Sequence, residues 1–508
     1  MRVNLFVRFA LTAFLLACIP SLVAAQPPAQ VRKEQISVAE YAARRAELVR
    51  GIDSGVVLAF GEVEPVVLWP TFFQTPAFQY LTGLSESNAI LVLVKRGGRT
   101  TSTMFVPSRT RREERWIGKR TPVAQLEQKI GIHGRDIREF KPFIDSLTRS
   151  RLSFYIVPDN RAADYMAEDS LTRGSRFVTQ LRVAHPWLVT SSLDSTVNRM
   201  RAKKSPVEIA LLRRAAQISA RGHREAMKAL APGCGENEIQ AVLDGSFRRL
   251  GGDRPGYGSI VGGGKNATIL HYMEDNDVLN DGELLLIDAA TSFDHYSADI
   301  TRTLPVNGKF SPAQRDIYQI VRDAQEAWVR QVKPGVSVRA ADEAGRAVIE
   351  RGLARLGLID SVGATFDAPS GACPPTGCPQ IFLYAIHGFG GHGIGLDVHD
   401  PAQYYGRNGR FGIGDVFTVE PGVYIDPQDI AELPDTPRNR ALRAKIAPAV
   451  EKYKWIGVRI EDDYALTESG LENLSVDAPR EITEIEGLMR TPRSELPGGG
   501  RCGVAAAR

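Results

Sequence analysis

Four acidic residues stand where apolar stretches of this chain end. The run Leu284 to Ile287 closes on Asp288, Asp299 lies inside SADITRT, Glu420 follows VFTV and precedes Pro421, and Glu461 ends GVRIE. A bare carboxylate carried into an apolar interior is costly unless something compensates it. Taken one at a time, an acid at a strand end reads as a cap, a turn former or an ion-pair partner. Four of them recurring with His392, in GGHGIGLDVHD, read differently. They form an oxygen-rich donor set with nitrogen at one corner. Such a set suits two divalent ions of the manganese type better than a structural zinc, with its preference for Cys and His. Two ions roughly 3.5–4 Å apart need at least one acid to bridge them. Alternation along GVRIE turns Val458 and Ile460 to one face and Arg459 and Glu461 to the other. The same count puts Glu420 and Tyr424 together unless Pro421 breaks the register.

Four of the eight histidines fall among these motifs: His271 in ILHYMEDND, then His387, His392 and His399. One alone is most simply a hydrogen-bonded core histidine; beside five candidate ligands the four read as parts of one site. Competing chemistries fade. SIVGGGKNAT has glycines before a lysine, but Ser259 stands where a phosphate loop needs glycine and Asn266 where it needs Ser or Thr. It reads as a tight turn feeding a strand that carries His271. No G-x-S-x-G elbow and no reactive-cysteine arrangement appears.

The elements that would hold these residues alternate strand and helix, an α/β (α+β) pattern. In the first half, SVAEYAARRAELVRGI has helical spacing, while GVVLAF, AILVLV and LSFYIVP are strand-like. Polar sequence around Ser192 marks a domain boundary. Ser205 then caps a long helix, with Pro206 at its first position and Glu208 three residues after the cap. Beyond Gly251 come glycine-broken strands, with helices expected at about 312–333 and 339–356. The resulting division is a leader over 1–25, an N-terminal domain over 26–192, a second domain over 193–488 and a tail over 489–508. The tail, ending PGGGRCGVAAAR, lacks core-forming residues and is expected to be disordered. Residues 426–455 lie between two of the acid-bearing strands, where they would form a lid.

At 508 residues the chain is too long for one compact core. Its 43% apolar and 24% charged composition is that of a globular protein, and a net charge of +4 is small for this length. The densest basic run, Arg109 to Arg120, contains Glu113 and Glu114 and reads as a solvated helix face; nucleic acid is not an expected partner. Arg2 and Arg8 precede an apolar stretch, Phe9 to Ile19, too short to span a bilayer. SLVAAQ then offers small residues for cleavage before Gln26, so the chain is expected to be exported, periplasmic or secreted; LLAC ending at Cys18 is a competing lipid-anchor signal. No later segment has the length and apolarity of a membrane span. In an oxidising compartment Cys373 and Cys378, bracketing CPPTGC, would close a small disulfide.

The motifs HYMEDND, LLLIDAA, YSADITRTLPVNGKFSPAQRDIY, HGIGLDVHD, FTVEPGVYI and GVRIEDD resemble the pita-bread metallopeptidases, within them the aminopeptidase P and prolidase branch. The resemblance covers about residues 200–475. The first half is similar to the branch's creatinase-like amino-terminal domain through RRAELV, FQTPAFQYLTGL and SNAILVL, except that an Arg common in the family is here Phe73. What it implies is a pair of divalent ions, Mn²⁺ before Co²⁺ or Zn²⁺, held by Asp288, Asp299, His392, Glu420 and Glu461, with Asp299 and Glu461 bridging. His271 and His399 would line the substrate side, Arg459 would support Glu461, and Glu420 would take the proton of the attacking water and return it to the departing nitrogen. The family's histidine four residues before the ligand histidine is here His387, five before, so a glycine bulge would have to restore its direction. The activity implied is removal of the first residue from peptides with proline second. The alternatives are a dipeptidase confined to Xaa-Pro dipeptides and a non-catalytic binding protein of the same shape. A homo-oligomer is compatible with either.

Overall fold

The computed structural model describes residues 35–65, 71–159, 172–369, 373, 376–400 and 409–490. The expected leader with Cys18, and the tail beyond Arg490 with Cys502, lie outside them. Among the described residues no helix is long and apolar enough to cross a membrane.

The first half is built on a six-stranded mixed sheet. Its order across the sheet is His133–Asp136, Arg99–Val106, Ile90–Arg96, Gly55–Phe60, Phe154–Ile156 and Thr190–Ser192. Gly55–Phe60 is buried along its whole length because both faces are covered. Val56, Leu58 and Phe60 pack with Phe140, Ile144 and Leu181 on one side. Val57 and Ala59 pack with Leu48, Phe78 and Leu81 on the other. The charged Arg111–Ile117 helix buries none of its residues and is closed by a capping box between Thr110 and Glu113. The helix is the solvated face expected of the run, whereas Arg120 at the end of the run is buried against Glu64, Glu86 and Ser87.

The second half wraps long helices around small antiparallel sheets. The Pro206–Ala229 helix starts as its sequence indicates, with Ser205 as cap, Pro206 at the first position and Glu208 completing the capping box. The Pro312–Val329 and Val338–Leu356 helices follow. Ile260–Gly263, Leu284–Asp288 and Thr301–Pro305 form one sheet, with Leu284–Asp288 at its centre. Arg254–Pro255, Thr291–Phe293 and Tyr296–Ser297 form the next. Val416–Val419 pairs with Asp462–Thr467, and Gly422–Tyr424 pairs with Gly457–Arg459.

Two expectations need correction. His271 is exposed in a turn after the Gly264–Thr268 3₁₀-helix rather than on a strand. Met489, expected to begin the tail, closes the Ile482–Met489 helix and packs against the core. Cys373 and Cys378 are disulfide-bonded, with Cα atoms 5.4 Å apart. Residues 426–455 form the Pro427–Ala431 and Pro437–Tyr453 helices, tied to the hairpin beside that disulfide. Asp367 there accepts from Thr436 at 2.6 Å and from Arg438 at 2.7 Å.

Candidate metal centre

All four acids sit where the chain leaves one small sheet for another. Asp288 is the last residue of its strand before the chain joins the sheet of Thr291–Phe293, and Asp299 lies on the return path between Ser297 and Thr301. Glu420 and Pro421 separate Val416–Val419 from Gly422–Tyr424, while Ile460 and Glu461 separate Gly457–Arg459 from Asp462–Thr467. Pro421 does break the strand register, because it has no N–H to give to a ladder. At such crossings a side chain is released from strict alternation and turns toward the common centre.

Ligand-capable atoms of Asp299, His392 and Glu461 lie within 4.8 Å of one another. His392 Nε2 is 3.4 Å from Asp299 Oδ2 and 3.4 Å from Glu420 Oε1. Its Nδ1 donates to the Gly393 carbonyl at 3.1 Å, an orientation that leaves Nε2 for the centre. The His392 N–H donates to Thr418 Oγ1 at 3.1 Å, and that hydroxyl donates to Glu420 Oε1 at 3.2 Å. A Cβ at Gly391 would collide with the Thr418 backbone, so this approach of loop to strand requires glycine. Asp288 stands beside the cluster rather than in it, accepting from Tyr257 Oη and from Arg459, both at 2.6 Å. Thr301 donates to Glu461 Oε2 at 2.6 Å, whereas the buried Glu461 Oε1 has no partner.

Asp299, Glu420 and Glu461 are held protonation-prone. Burial, then the neighbouring Asp288, raises Asp299 above the ordinary carboxylate range. Burial raises Glu420 as well, and pushes Glu461 well up with help from Asp299, Glu420 and Asp288. Burial lowers His392, but its hydrogen bond to Asp299 and the charge of Glu420 outweigh this and carry it to about 9. A set of mutually repelling buried carboxylates with an orphaned oxygen and one imidazole fits divalent cations, which supply the missing positive charge.

The other histidines arrange themselves around this set. The His399 ring lies 4.1 Å from that of His392, centroid to centroid. Burial, then His392 and His271, lowers His399 to about 4, so near neutral pH it is uncharged, with a proton to donate. His387, despite its spacing, reaches Glu420: Nε2 donates to the Glu420 carbonyl at 2.7 Å and is 3.9 Å from Oε2. Gly388, with φ of 108°, supplies the bulge this requires. Arg459 supports Glu461 through Thr301, whose hydroxyl accepts from Arg459 Nε at 3.1 Å and donates to Glu461 Oε2 at 2.6 Å. Its hydrogen bonds run to Asp288, Tyr424 Oη, Thr301 Oγ1 and the Leu270 carbonyl, not to the Glu461 carboxylate.

Sequence reading missed Tyr257, Thr301, Thr418 and Asp463. Thr301 and Asp463 each follow a candidate ligand by two residues, a spacing that could have flagged them. The fully buried Asp463, held well up by burial and by Asp299, accepts the Asp299 N–H at 3.1 Å. Tyr257 is a lone tyrosine between glycines and carries no such signal. Phe73 packs under the Arg254 guanidinium, 3.7 Å from its ring centroid, with the His295 ring edge-on at 6.2 Å.

Comparison with known proteins agrees with this architecture. The model of metallopeptidase family M24 matches residues 210–468, and that of the aminopeptidase P N-terminal domain matches residues 41–155. The Xaa-Pro aminopeptidase of Haemophilus influenzae is 36% identical over 421 residues, covering 82% of this chain and 88% of that protein. The Xaa-Pro aminopeptidase of Escherichia coli is 34% identical over 469 residues, covering 91% of this chain and 100% of that protein. Among solved structures, proline aminopeptidase P II of Yersinia pestis superposes with a TM-score of 0.74 at 31% identity, over 89% of this chain and 99% of that one. Aminopeptidase P of Escherichia coli with the inhibitor Pro-Leu superposes with a TM-score of 0.73 at 32% identity, over 90% and 98%.

Proposed function

Because the chain belongs to metallopeptidase family M24, in its aminopeptidase P branch, we propose that it is an exported Xaa-Pro aminopeptidase, hydrolysing the bond between a first residue and a following proline. The observation that carries this reading is the meeting of Asp299, His392 and Glu461 within 4.8 Å, with Glu420 and Asp288 alongside. Those five residues would hold two divalent ions, manganese by preference. The ions would supply a water of lowered pKa and a positive charge opposite the developing oxyanion.

The chain's own residues do the rest. Glu420, braced from behind by His387 and from the side by Thr418, takes the water's proton and returns it to the departing proline nitrogen. His399, uncharged, donates to the oxygen of the scissile carbonyl. Arg459 and Tyr257 fix Asp288, and Thr301 fixes Glu461, so the donors need not rearrange. His271, exposed on its turn between Ile269 and Met273, forms part of an apolar wall for the proline ring. An Xaa-Pro bond needs such a dedicated site, because it lacks the N–H that peptidases docking an extended backbone use. Export is supported by the leader-like first 25 residues and fits the Cys373–Cys378 disulfide.

The test compares an Xaa-Pro dipeptide and an Xaa-Pro-Xaa tripeptide side by side, with purified protein and added manganese. Cleavage of the tripeptide is expected; cleavage of the dipeptide alone would assign a prolidase instead. Full rate in strong chelator, or in Glu420→Ala, would remove the metal mechanism.

A further inference from the structure

We propose that Arg201, on the helix joining the two halves of the chain, is a positioning residue for His399. This rests on the reading of His399 as the group that meets the substrate carbonyl. Arg201 is the penultimate residue of the Asp194–Ala202 helix, and its side chain is buried. One guanidinium nitrogen donates to Asp397 Oδ2 at 2.6 Å and also contacts Asp400 Oδ1. Lys204 Nζ meets the other oxygen of Asp400 at 3.1 Å. These two carboxylates flank His399 in sequence, two residues before it and one after. Arg201 and Lys204 thus supply the positive charge at contact distance that the two acids need.

The loop is shaped around this clamp. Asp400 N–H donates to the Gly393 carbonyl at 2.7 Å, and Gly395 N–H to the Asp397 carbonyl at 3.0 Å. A Cβ on Gly395 would strike the Asp400 carboxylate, and one on Gly393 the Asp400 carbonyl, so GIG is needed for the loop to close on Asp400. The Ser297 N–H donates to the Gly395 carbonyl at 2.7 Å, tying the loop to the strand that precedes Asp299. With backbone fixed on both sides, His399 is left little freedom but to face His392, 4.1 Å away.

The N-terminal domain holds the clamp itself. Tyr80 Oη donates to the Met200 carbonyl at 3.1 Å, one residue before Arg201, and the Arg44 guanidinium covers the Tyr80 ring at 4.2 Å. A second route runs through Phe73, which carries Arg254, whose charge faces Asp397. The first domain thus sets the attitude of a histidine that belongs to the second.

Lysine at position 201 would keep the charge, but its shorter stem would not carry a donor to the point where one guanidinium nitrogen meets both carboxylates. The test is therefore kinetic, on an Xaa-Pro-Xaa tripeptide, with Arg201→Lys, His399→Ala and the double variant. Bound metal and thermal midpoint are measured for each as controls. Arg201→Lys is expected to lower kcat about tenfold or more with KM nearly unchanged, at full metal content. His399→Ala should lower kcat by about 10²-fold, and the double variant should fall no further. A kcat for Arg201→Lys within about twofold of the parent, or losses that multiply in the double variant, would overturn the proposal. If Arg201→Lys does not fold, Asp397→Asn takes its place in the same cycle, with the same outcomes expected. Parent-like activity in His399→Ala would instead sink the reading of His399 on which the proposal rests.

Discussion

Arg302 offers a demanding test of how the centre is supported. Its side chain is wholly buried between the strand carrying Thr301 and the segment 461–479. All five guanidinium N–H groups are committed: to the carbonyls of Thr301 at 2.8 Å, Glu461 at 2.6 Å, Ala478 at 2.8 Å and Pro479 at 2.9 Å, and to Asp462 Oδ1 at 2.7 Å. Arg302→Met removes every one while keeping the stem. Breaking a buried ion pair by deleting one partner costs about 3–5 kcal/mol. Asp462 retains Arg480 at 2.6 Å and Ser475 at 2.7 Å, which argues for the lower end. The Thr301 carbonyl keeps the Glu461 N–H at 3.1 Å, but three carbonyls stripped of this donor, at about 1–3 kcal/mol each where water cannot reach, argue for the upper. A loss of about 4 kcal/mol is expected, a large share of the roughly 5–15 kcal/mol that keeps a domain folded. The assay is urea unfolding followed through Trp328, buried among the helices of the second half. The surface pair Arg213–Glu472 is the control: it has similar length, 2.6 Å, but side chains 36% and 37% exposed, so Arg213→Met should cost about 1 kcal/mol or less. Equal losses for the two variants, or less than about 1 kcal/mol for Arg302→Met, would refute the reasoning.

Dialysis against a strong chelator should abolish peptidase activity and divalent manganese restore it, read as proline-peptide release. Glu420→Gln should lower kcat by about 10²–10⁴-fold with its fold intact by circular dichroism. His223 gives a pH signature: burial, then the charge of Arg302, lowers it from 6.5 to about 4. Its native pKa lies below its unfolded one, so its stabilisation is complete above pH 6.5 and is lost as pH falls from there toward 4. That contribution is up to about 3 kcal/mol, and urea titrations of His223→Gln should show a flatter slope across this window. Cys378→Ser opens a short disulfide loop and should lower stability by about 2 kcal/mol, seen as a reduced thermal midpoint.

The site was legible in sequence to the extent that its parts break local rules. An acid at the end of LLLI or VFTV violates the pattern of burial around it, and that violation is visible without any neighbour. Likewise Ser205, Pro206 and Glu208 announce a helix start, because a capping box is made within four residues. What Glu208 does beyond capping was hidden: it accepts from Tyr296 Oη at 2.8 Å and lies 3.3 Å from Arg44 of the first domain. Arg459 was assigned the right face by alternation, but alternation says nothing of what lies across that face, and there it meets Asp288. His271 was misread because the apolar pair before it, Ile269 and Leu270, imitates a strand, whereas the 3₁₀ turn over Gly264–Thr268 has already spent the reach needed for one. The spacing of His387 looked like a defect until Gly388 showed where the extra residue goes.

The pairing of Val423 with Val458 closes the neck of the stretch that runs out from Tyr424 and back to Gly457. Since widening a loop whose ends are already pinned adds little entropic penalty, extra length could be taken up at the link between its two helices, while Ile430, Leu442 and Ile446 keep the helices themselves in the core. Glu420 and Glu461, just outside the neck, would not move. Changes in the length of that link would therefore leave the centre as it is.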